Sequence, residues 1–275
     1  MKANLKSIIL AVASSGILFH AGVQANQLED VKAKGTLVCG VIDIYEPFGF
    51  IDPATRTVSG YDVDVCQALG KELGVKVELK PVSIEARIPA LQQGQMDVLA
   101  AGLAYTPQRA EQVDYSHAYY VSRNVVVAKK DRGYAKVGDM AGKRVSFVKG
   151  SITETHLKNA VPTVVTVGYE DTPTAFTAFL QGRVEGISQS EEPLSLLITK
   201  LGAKGADYIF LDPPTGREVW GIGVRKNEPE MLAAVNNALE HIEESGELQA
   251  IFDKWLGTST LYQMKRSFKV EPIKD

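Results

Sequence analysis

Several signatures of chemistry are missing from this 275-residue sequence. Its four histidines, His20, His117, His156 and His241, are scattered, and with only Cys39 and Cys66 beside them no metal-ligand spacing arises. No G-x-S-x-G elbow occurs. Gly138 to Lys143 falls one residue short, between its glycines, of a phosphate loop. No metal and no cofactor are therefore expected. Cationic excess is absent as well: 30 Lys+Arg stand against 33 Asp+Glu, which leaves no footprint for nucleic acid or an anionic membrane. No apolar run reaches the roughly 20 residues that a membrane span requires. Low-complexity tracts are also lacking.

One short apolar run, residues 8–19, is interrupted only by Ser14 and Ser15. Lys2 and Lys6 precede it, and Val23-Gln24-Ala25 follows with small residues where signal peptidase cuts. Residues 1–25 thus read as a secretory signal peptide cleaved after Ala25. No cysteine follows closely enough to be lipidated, so a free periplasmic protein is expected, and a monomer. Cleavage removes two lysines and no acid, leaving 28 cationic side chains and a net charge of about −5. The roughly 250 residues that remain suit two medium domains better than one. With 45% apolar and 23% charged residues, they can bury an ordinary core. An oxidising compartment permits a Cys39–Cys66 disulfide, while two buried thiols are an equal alternative, because pairing depends on geometry.

Strand and helix alternate along the chain. Residues 36–42 read as a buried strand, 60–73 as a helix, 75–80 as a strand, 88–93 as a helix and 96–101 as a strand. The plan repeats with strands at 145–148 and 164–167 and helices at 153–159 and 173–180. Leu91-Gln92-Gln93-Gly94-Gln95-Met96-Asp97 is echoed by Phe179-Leu180-Gln181-Gly182-Arg183-Val184-Glu185. Two similarly wound α/β lobes are therefore expected. Residues 119–129 and 219–225 are β-branched stretches placed where the chain can cross between them. Helices at 231–244 and 248–255 then return to the first lobe. This gives lobe 1 as 26–122 with 219–257, lobe 2 as 123–218, and 258–275 as an unassigned tail. Open parallel sheets bind ligands beyond the carboxyl ends of their strands, so a site between the lobes, closing on a hinge, is expected.

Thr106-Pro107-Gln108-Arg109 is the most informative tetrapeptide. Thr106 is a natural N-cap and Pro107 a natural first helical residue. Arg109 then sits in the first turn, where the helix dipole disfavours a cation unless it holds an anion. A local salt bridge to Glu111 or Asp114 is the competing reading. The run from Ala101 through Thr106-Pro107-Gln108-Arg109 to Ser116 resembles the signature of the family 3 extracellular solute-binding proteins, the periplasmic polar amino-acid receptors of ABC transporters. The likeness continues in residues 35–40, in Pro47-Phe48, in Gly60-Tyr61-Asp62-Val63-Asp64 and in Trp255-Leu256-Gly257.

That resemblance implies the two-lobed periplasmic-binding-protein fold, two doubly wound sheets joined by two hinge strands. It implies a small-molecule ligand, an amino acid or carboxylate, and an ABC transporter permease as partner. Arg109 would clamp the ligand carboxylate, with Gly102 and Ala104 beside it. Ser151 and the Ile152 amide, in Lys149-Gly150-Ser151-Ile152-Thr153-Glu154, would approach from the other lobe. Ser151 and Glu154 also have capping-box spacing. Tyr45 matches the aromatic residue that covers the ligand, and Arg87, in Ala86-Arg87-Ile88-Pro89, resembles receptors for acidic and general amino acids.

Two positions depart from the pattern. Relatives place a hydroxyl residue at 104 and an aspartate at 190 to bind the ammonium, whereas this chain has Ala104 and Ser190. Glu191, Glu192 or Glu46 could replace the missing acid. Otherwise the ligand is a carboxylate without an ammonium, or the protein is a dehydratase like the cyclohexadienyl dehydratases, using Glu191 or Glu192 as its acid. A receptor without catalysis is the expected function.

Overall fold

The structure, a computed structural model, describes residues 26–274; the expected signal segment lies outside them. The chain starts with α1 (Gln27–Lys34), β1 (Thr36–Val41), β2 (Ile44–Tyr45), β3 (Gly49–Ile51) and β4 (Val58–Ser59). It continues through α2 (Tyr61–Leu73), β5 (Lys76–Pro81), α3 (Arg87–Gln92), β6 (Val98–Leu99) and the single turn α4 (Pro107–Ala110). A 16-residue strand, β7 (Asp114–Lys129), follows. Then come β8 (Arg144–Val148), α5 (Thr153–Ala160), β9 (Val165–Tyr169), α6 (Thr172–Leu180), β10 (Gly186–Ser190) and α7 (Glu191–Lys200). A 17-residue strand, β11 (Tyr208–Val224), leads to α8 (Pro229–Glu244) and α9 (Glu247–Trp255).

Eight strands form one hydrogen-bonded ladder in the order β5-β1-β6-β11-β7-β10-β8-β9. On one flank β1 runs parallel to β5 and β6; on the other β8 runs parallel to β9 and β10. Each flank therefore has its second strand outermost, its first in the middle and its third inside, the same winding twice. The expected two sheets are joined because β7 and β11 pair antiparallel with each other, while β11 also pairs with β6 of one flank and β7 with β10 of the other. The sequence echo is a shared helix ending. Gly94 and Gly182 both adopt left-handed φ, +69° and +70°, and donate to Leu91 O and Phe179 O to stop α3 and α6. β6 and β10 start four residues after each glycine.

The long strands begin earlier than their β-branched stretches suggest. β7 opens at Asp114 because Tyr115 and Asp114 pair with Gly223 and Val224. β11 opens at Tyr208, upstream of Pro213, Pro214 and Gly216, and its register breaks between Leu211 and Gly216 where those residues cannot sustain a regular ladder. Beyond this break the middle of the pair is regular, with Arg123 opposite Arg217, Ser122 opposite Glu218 and Val121 opposite Val219.

Helix α2 packs on α8, α9 and β5, so the last two helices return to the first flank. Cys39 of β1 and Cys66 of α2 are disulfide-bonded, with Cα atoms 6.3 Å apart. Under the crossing strands lies an aromatic cluster. Phe48 is 4.5 Å from Trp220 and 4.9 Å from Tyr120, ring centre to centre, and all three are fully buried. Each such side chain contributes about 2–3 kcal/mol of burial. The tail beyond α9 has no helix or strand but is docked: Ala118 N–H donates to Glu271 O at 2.8 Å, and Phe268 packs on Tyr120 and Phe252. Among the described residues no helix is long and apolar enough to cross a membrane.

Candidate functional site

Arg109 is positioned by its own tetrapeptide. Thr106 Oγ1 accepts from Arg109 N–H at 3.1 Å and Pro107 opens the turn. The turn is only four residues long, so its dipole is small and hydrogen bonds set the guanidinium instead. Nη1 donates to Ala104 O at 2.8 Å, and Nη2 donates to Gly150 O at 2.8 Å. No ion pair of Arg109 occurs among the described residues, and Asp114 is paired with Lys226.

Arg87, at the start of α3, is 4% exposed and not a solvated arginine. Its Nη1 donates to Ala101 O and Gly102 O, and its Nη2 to the same Gly150 O at 3.3 Å. Burial, and then the charge of Arg109, pull its pKa down to about 10. Gly150 adopts φ +75°, and a Cβ there would lie 2.6 Å from the Glu85 Cα. The loop carrying it is therefore seated directly on the loop before α3.

Opposite the arginines is a polar wall. Tyr45 O–H donates to Ser190 Oγ at 2.8 Å, and Ser190 Oγ donates to Glu218 Oε2 at 3.2 Å. Trp220 Nε1–H donates to the same oxygen at 2.7 Å, while Asn124 Nδ2–H donates to Glu218 Oε1. His156 Nδ1 lies 2.7 Å from Asn124 Oδ1; since the Asn124 amide nitrogen points at Glu218, its oxygen accepts from the imidazole. Burial pulls the His156 pKa below its ordinary value. It pushes the Tyr45 hydroxyl well up, and the charge of Glu218 adds to that.

One cavity is lined by Tyr45, Arg87, Gly102, Ala104, Arg109, Ser151, Ile152 and Ser190. Ile84, Gln189 and Glu218 complete it. It is tight, with about 10 Å³ open to the centre of a water-sized sphere, roughly enough for one water. Eight of the nine residues singled out from the sequence thus meet in one place.

Glu191 does not join them. It opens α7 one position after Ser190, the last residue of β10. Its carboxylate pairs with Arg123, with Oε1 2.7 Å from Nη2. Glu192 is buried and accepts from Tyr120 O–H and Ser122 O–H, and both acids line a separate cavity of about 610 Å³. Glu46 pairs with Lys200. The proposed capping box is also absent: Ser151 O–H donates to Val148 O, and Glu154 binds Lys158 and Thr166. Glu218 is the acid that sequence reasoning missed. Its signal was an acid at alternate spacing from Trp220 and Ile222, the pattern of an inward-facing strand residue.

The family model described as bacterial extracellular solute-binding proteins, family 3, matches residues 37–258. The chain is 29% identical to the ABC transporter arginine-binding protein 1 of Escherichia coli (strain K12) over 252 residues, 91% of this chain and 99% of that protein. It is 30% identical to the L-cystine-binding protein TcyA of Bacillus subtilis (strain 168), over 94% and 98% of the two chains. Among solved structures, an ancestral amino acid-binding protein, a precursor of cyclohexadienyl dehydratase, superposes with a TM-score of 0.75 at 30% identity. That match covers 84% of this chain and 99% of the other.

Proposed function

Since the chain belongs to the bacterial extracellular solute-binding proteins, family 3, we propose that it is a periplasmic receptor for a small amino acid or related carboxylate, which it delivers to an ABC importer. The observation that carries this reading is the convergence of two guanidiniums, Arg87 and Arg109, on one carbonyl oxygen, Gly150 O, that reaches them from across the cleft. Neither arginine has a carboxylate partner among the described ion pairs, and a planar fork suits a ligand carboxylate better than a single carbonyl. Such a ligand would take over the position of that oxygen.

The moving parts in this reading are residues 26–122 with 219–257 and residues 123–218, the boundaries falling in the paired middle of β7 and β11. A ligand held by Arg109 on one side and by Ser151, the Ile152 amide and Ser190 on the other touches both only when the lobes are together, so it shifts the population toward closure. The protein acts as a monomer, without cofactor and without catalysis. A thermal-shift screen over amino acids, dicarboxylates and amino-acid derivatives tests this. At least one should raise the melting temperature, and Arg109→Ala should remove that rise; unchanged stabilisation would take Arg109 out of the site.

A second reading rests on the likeness to a dehydratase precursor together with the buried acid Glu218 in the cleft. Measurable product from prephenate or arogenate would replace the receptor by an enzyme.

A further inference from the structure

Beyond Gly257 the tail follows a pattern of its own. From Leu261 to Val270 exposed and partly buried residues alternate strictly, the period of an extended segment laid on a surface. Arg266 sits deepest, its side chain 5% exposed and paired with Glu243 of α8. Phe268 fits between Tyr120 of β7 and Phe252 of α9, with ring centres 5.2 and 5.9 Å away. Glu271 bridges Ala118 on the edge of β7 that faces away from β11. The tail is thus fixed to the first lobe, and nearly all of it lies beyond residue 258, where the family likeness ends.

β10 occupies the same edge of β7 only from Asn124 onward. Residues 119–123, between β10 and the tail, have no strand partner on that edge, and the boundary between the lobes falls among them. A stretch held on one edge only yields more readily than one held on both. Beside it lies the cavity of about 610 Å³, lined by Val121, Arg123, Glu192, Arg217, Met264 and Ser267 among others. Arg123 stands opposite Arg217 and Val121 opposite Val219, and opposed residues share a face of the ladder. Glu218 is the next residue after Arg217, so it points to the other face, where it lines the cleft. The large cavity therefore lies behind the crossing strands and reaches round the edge of β7 to α7. Met264 and Ser267 supply its wall on the tail side.

We propose that the tail is an opening stop for the two lobes. Bending that parts the cleft face of β7 and β11 brings their opposite face together, so the cavity behind them is the room in which opening takes place. The nearly filled cleft and the roomy cavity belong to the same closed arrangement. As the lobes part, α7 and the hinge strands close on Met264 and Ser267, and the motion ends there. A less open resting state leaves a larger share of the protein ready to close, which raises the apparent affinity for every ligand alike. The proposal rests on the hinge of the receptor reading and not on what is bound.

Two spin labels read the opening without any ligand. Thr55→Cys on the first lobe and Thr174→Cys on the second are exposed positions beside a groove that Ile51 and Pro173 line together. Cys39 and Cys66 are bonded to each other, so only the new thiols take the labels. Pulsed electron resonance on the ligand-free mature protein gives the distance between them. Met264→Ala removes bulk from the stop and should lengthen the mean distance by about 2 Å or more. Ser267→Trp adds bulk at an exposed position that tolerates substitution, and should shorten it by about as much. The opposite signs separate a stop from a general loosening of the tail, which would lengthen the distance in both. Unchanged distances in both variants, or shifts of one sign, overturn the proposal. Silence of the amino-acid screen would remove the receptor reading and leave this result standing, since nothing is bound in the measurement.

Discussion

Apart from the Gly150 carbonyl that they share, 63 and 41 residues away, the arginines on one side of the cleft are held by carbonyls 14, 15 and 5 residues away in the chain, those of Ala101, Gly102 and Ala104. Glu218, on the other side, is held by Asn124, 94 residues away, and Ser190, 28 residues away, as well as by its neighbour Trp220. The first half is a product of local motifs on one flank of the sheet. The second is assembled only where β7, β10 and β11 lie side by side. Local construction makes a group recognisable in a sequence, while long-range construction lets its identity shift from one strand to the next. Ser190 of β10 and Glu218 of β11 thus line the same cavity.

The sharpest way to break this comparison is Arg109→Ala. It should weaken every carboxylate ligand by at least about 1000-fold, because the loss includes leaving the ligand carboxylate without its fork. Calorimetry with amino and deaminated ligands checks this; a loss confined to amino ligands would mean the halves have been assigned backwards.

Gly150→Ala comes next and acts on both halves together. The added Cβ meets Glu85 at 2.6 Å and the backbone φ is left-handed, so the closed seat should be lost. Affinity should fall by about tenfold or more for all ligands alike, with a melting temperature in the absence of ligand close to wild type. A selective loss would show instead that the loop reads one ligand group.

Tyr45→Phe is a gentler probe of the acid half. It deletes the donor to Ser190 and keeps the ring against Phe48, so affinity should fall by roughly fivefold, the worth of about 1 kcal/mol. An unchanged dissociation constant would place the hydroxyl outside the ligand's reach.

Both halves also stand beside a buried acid, and the smallest expected effects concern these. Asp62, which accepts from Gly102 N–H and Tyr119 O–H, and Glu192, behind the polar wall, are each pushed by burial to about 7. Their unfolded values are near 3.8 and 4.5, so the folded state binds more protons between those values and about 7. Stability should therefore be highest on the acidic side of this window and fall as pH rises through it. Urea melts at pH 5 and 7.5 check the sign, and Glu192→Gln should flatten part of the fall. An equal slope in that variant would remove Glu192 from the account.

The alternating pattern of the sequence determined the α/β class and the repeated winding, because hydrophobic period and the Gln-Gly helix endings are local properties of the chain. It also singled out Arg109 through its N-cap and proline, while Arg87 and Tyr45 became candidates through the family resemblance. Three matters were left to the tertiary structure. Cys39 and Cys66 were as compatible with thiols as with a bond, and only the packing of α2 on β1 brought their Cα atoms to 6.3 Å. Glu191 was a plausible acid by adjacency to Ser190, but as the first residue of α7 it pairs with Arg123 outside the cleft. Glu218 entered the cleft because β11 pairs with β7 in a register that sets it opposite Ser122 and beside Asn124, and register between distant strands is decided by the whole core they share.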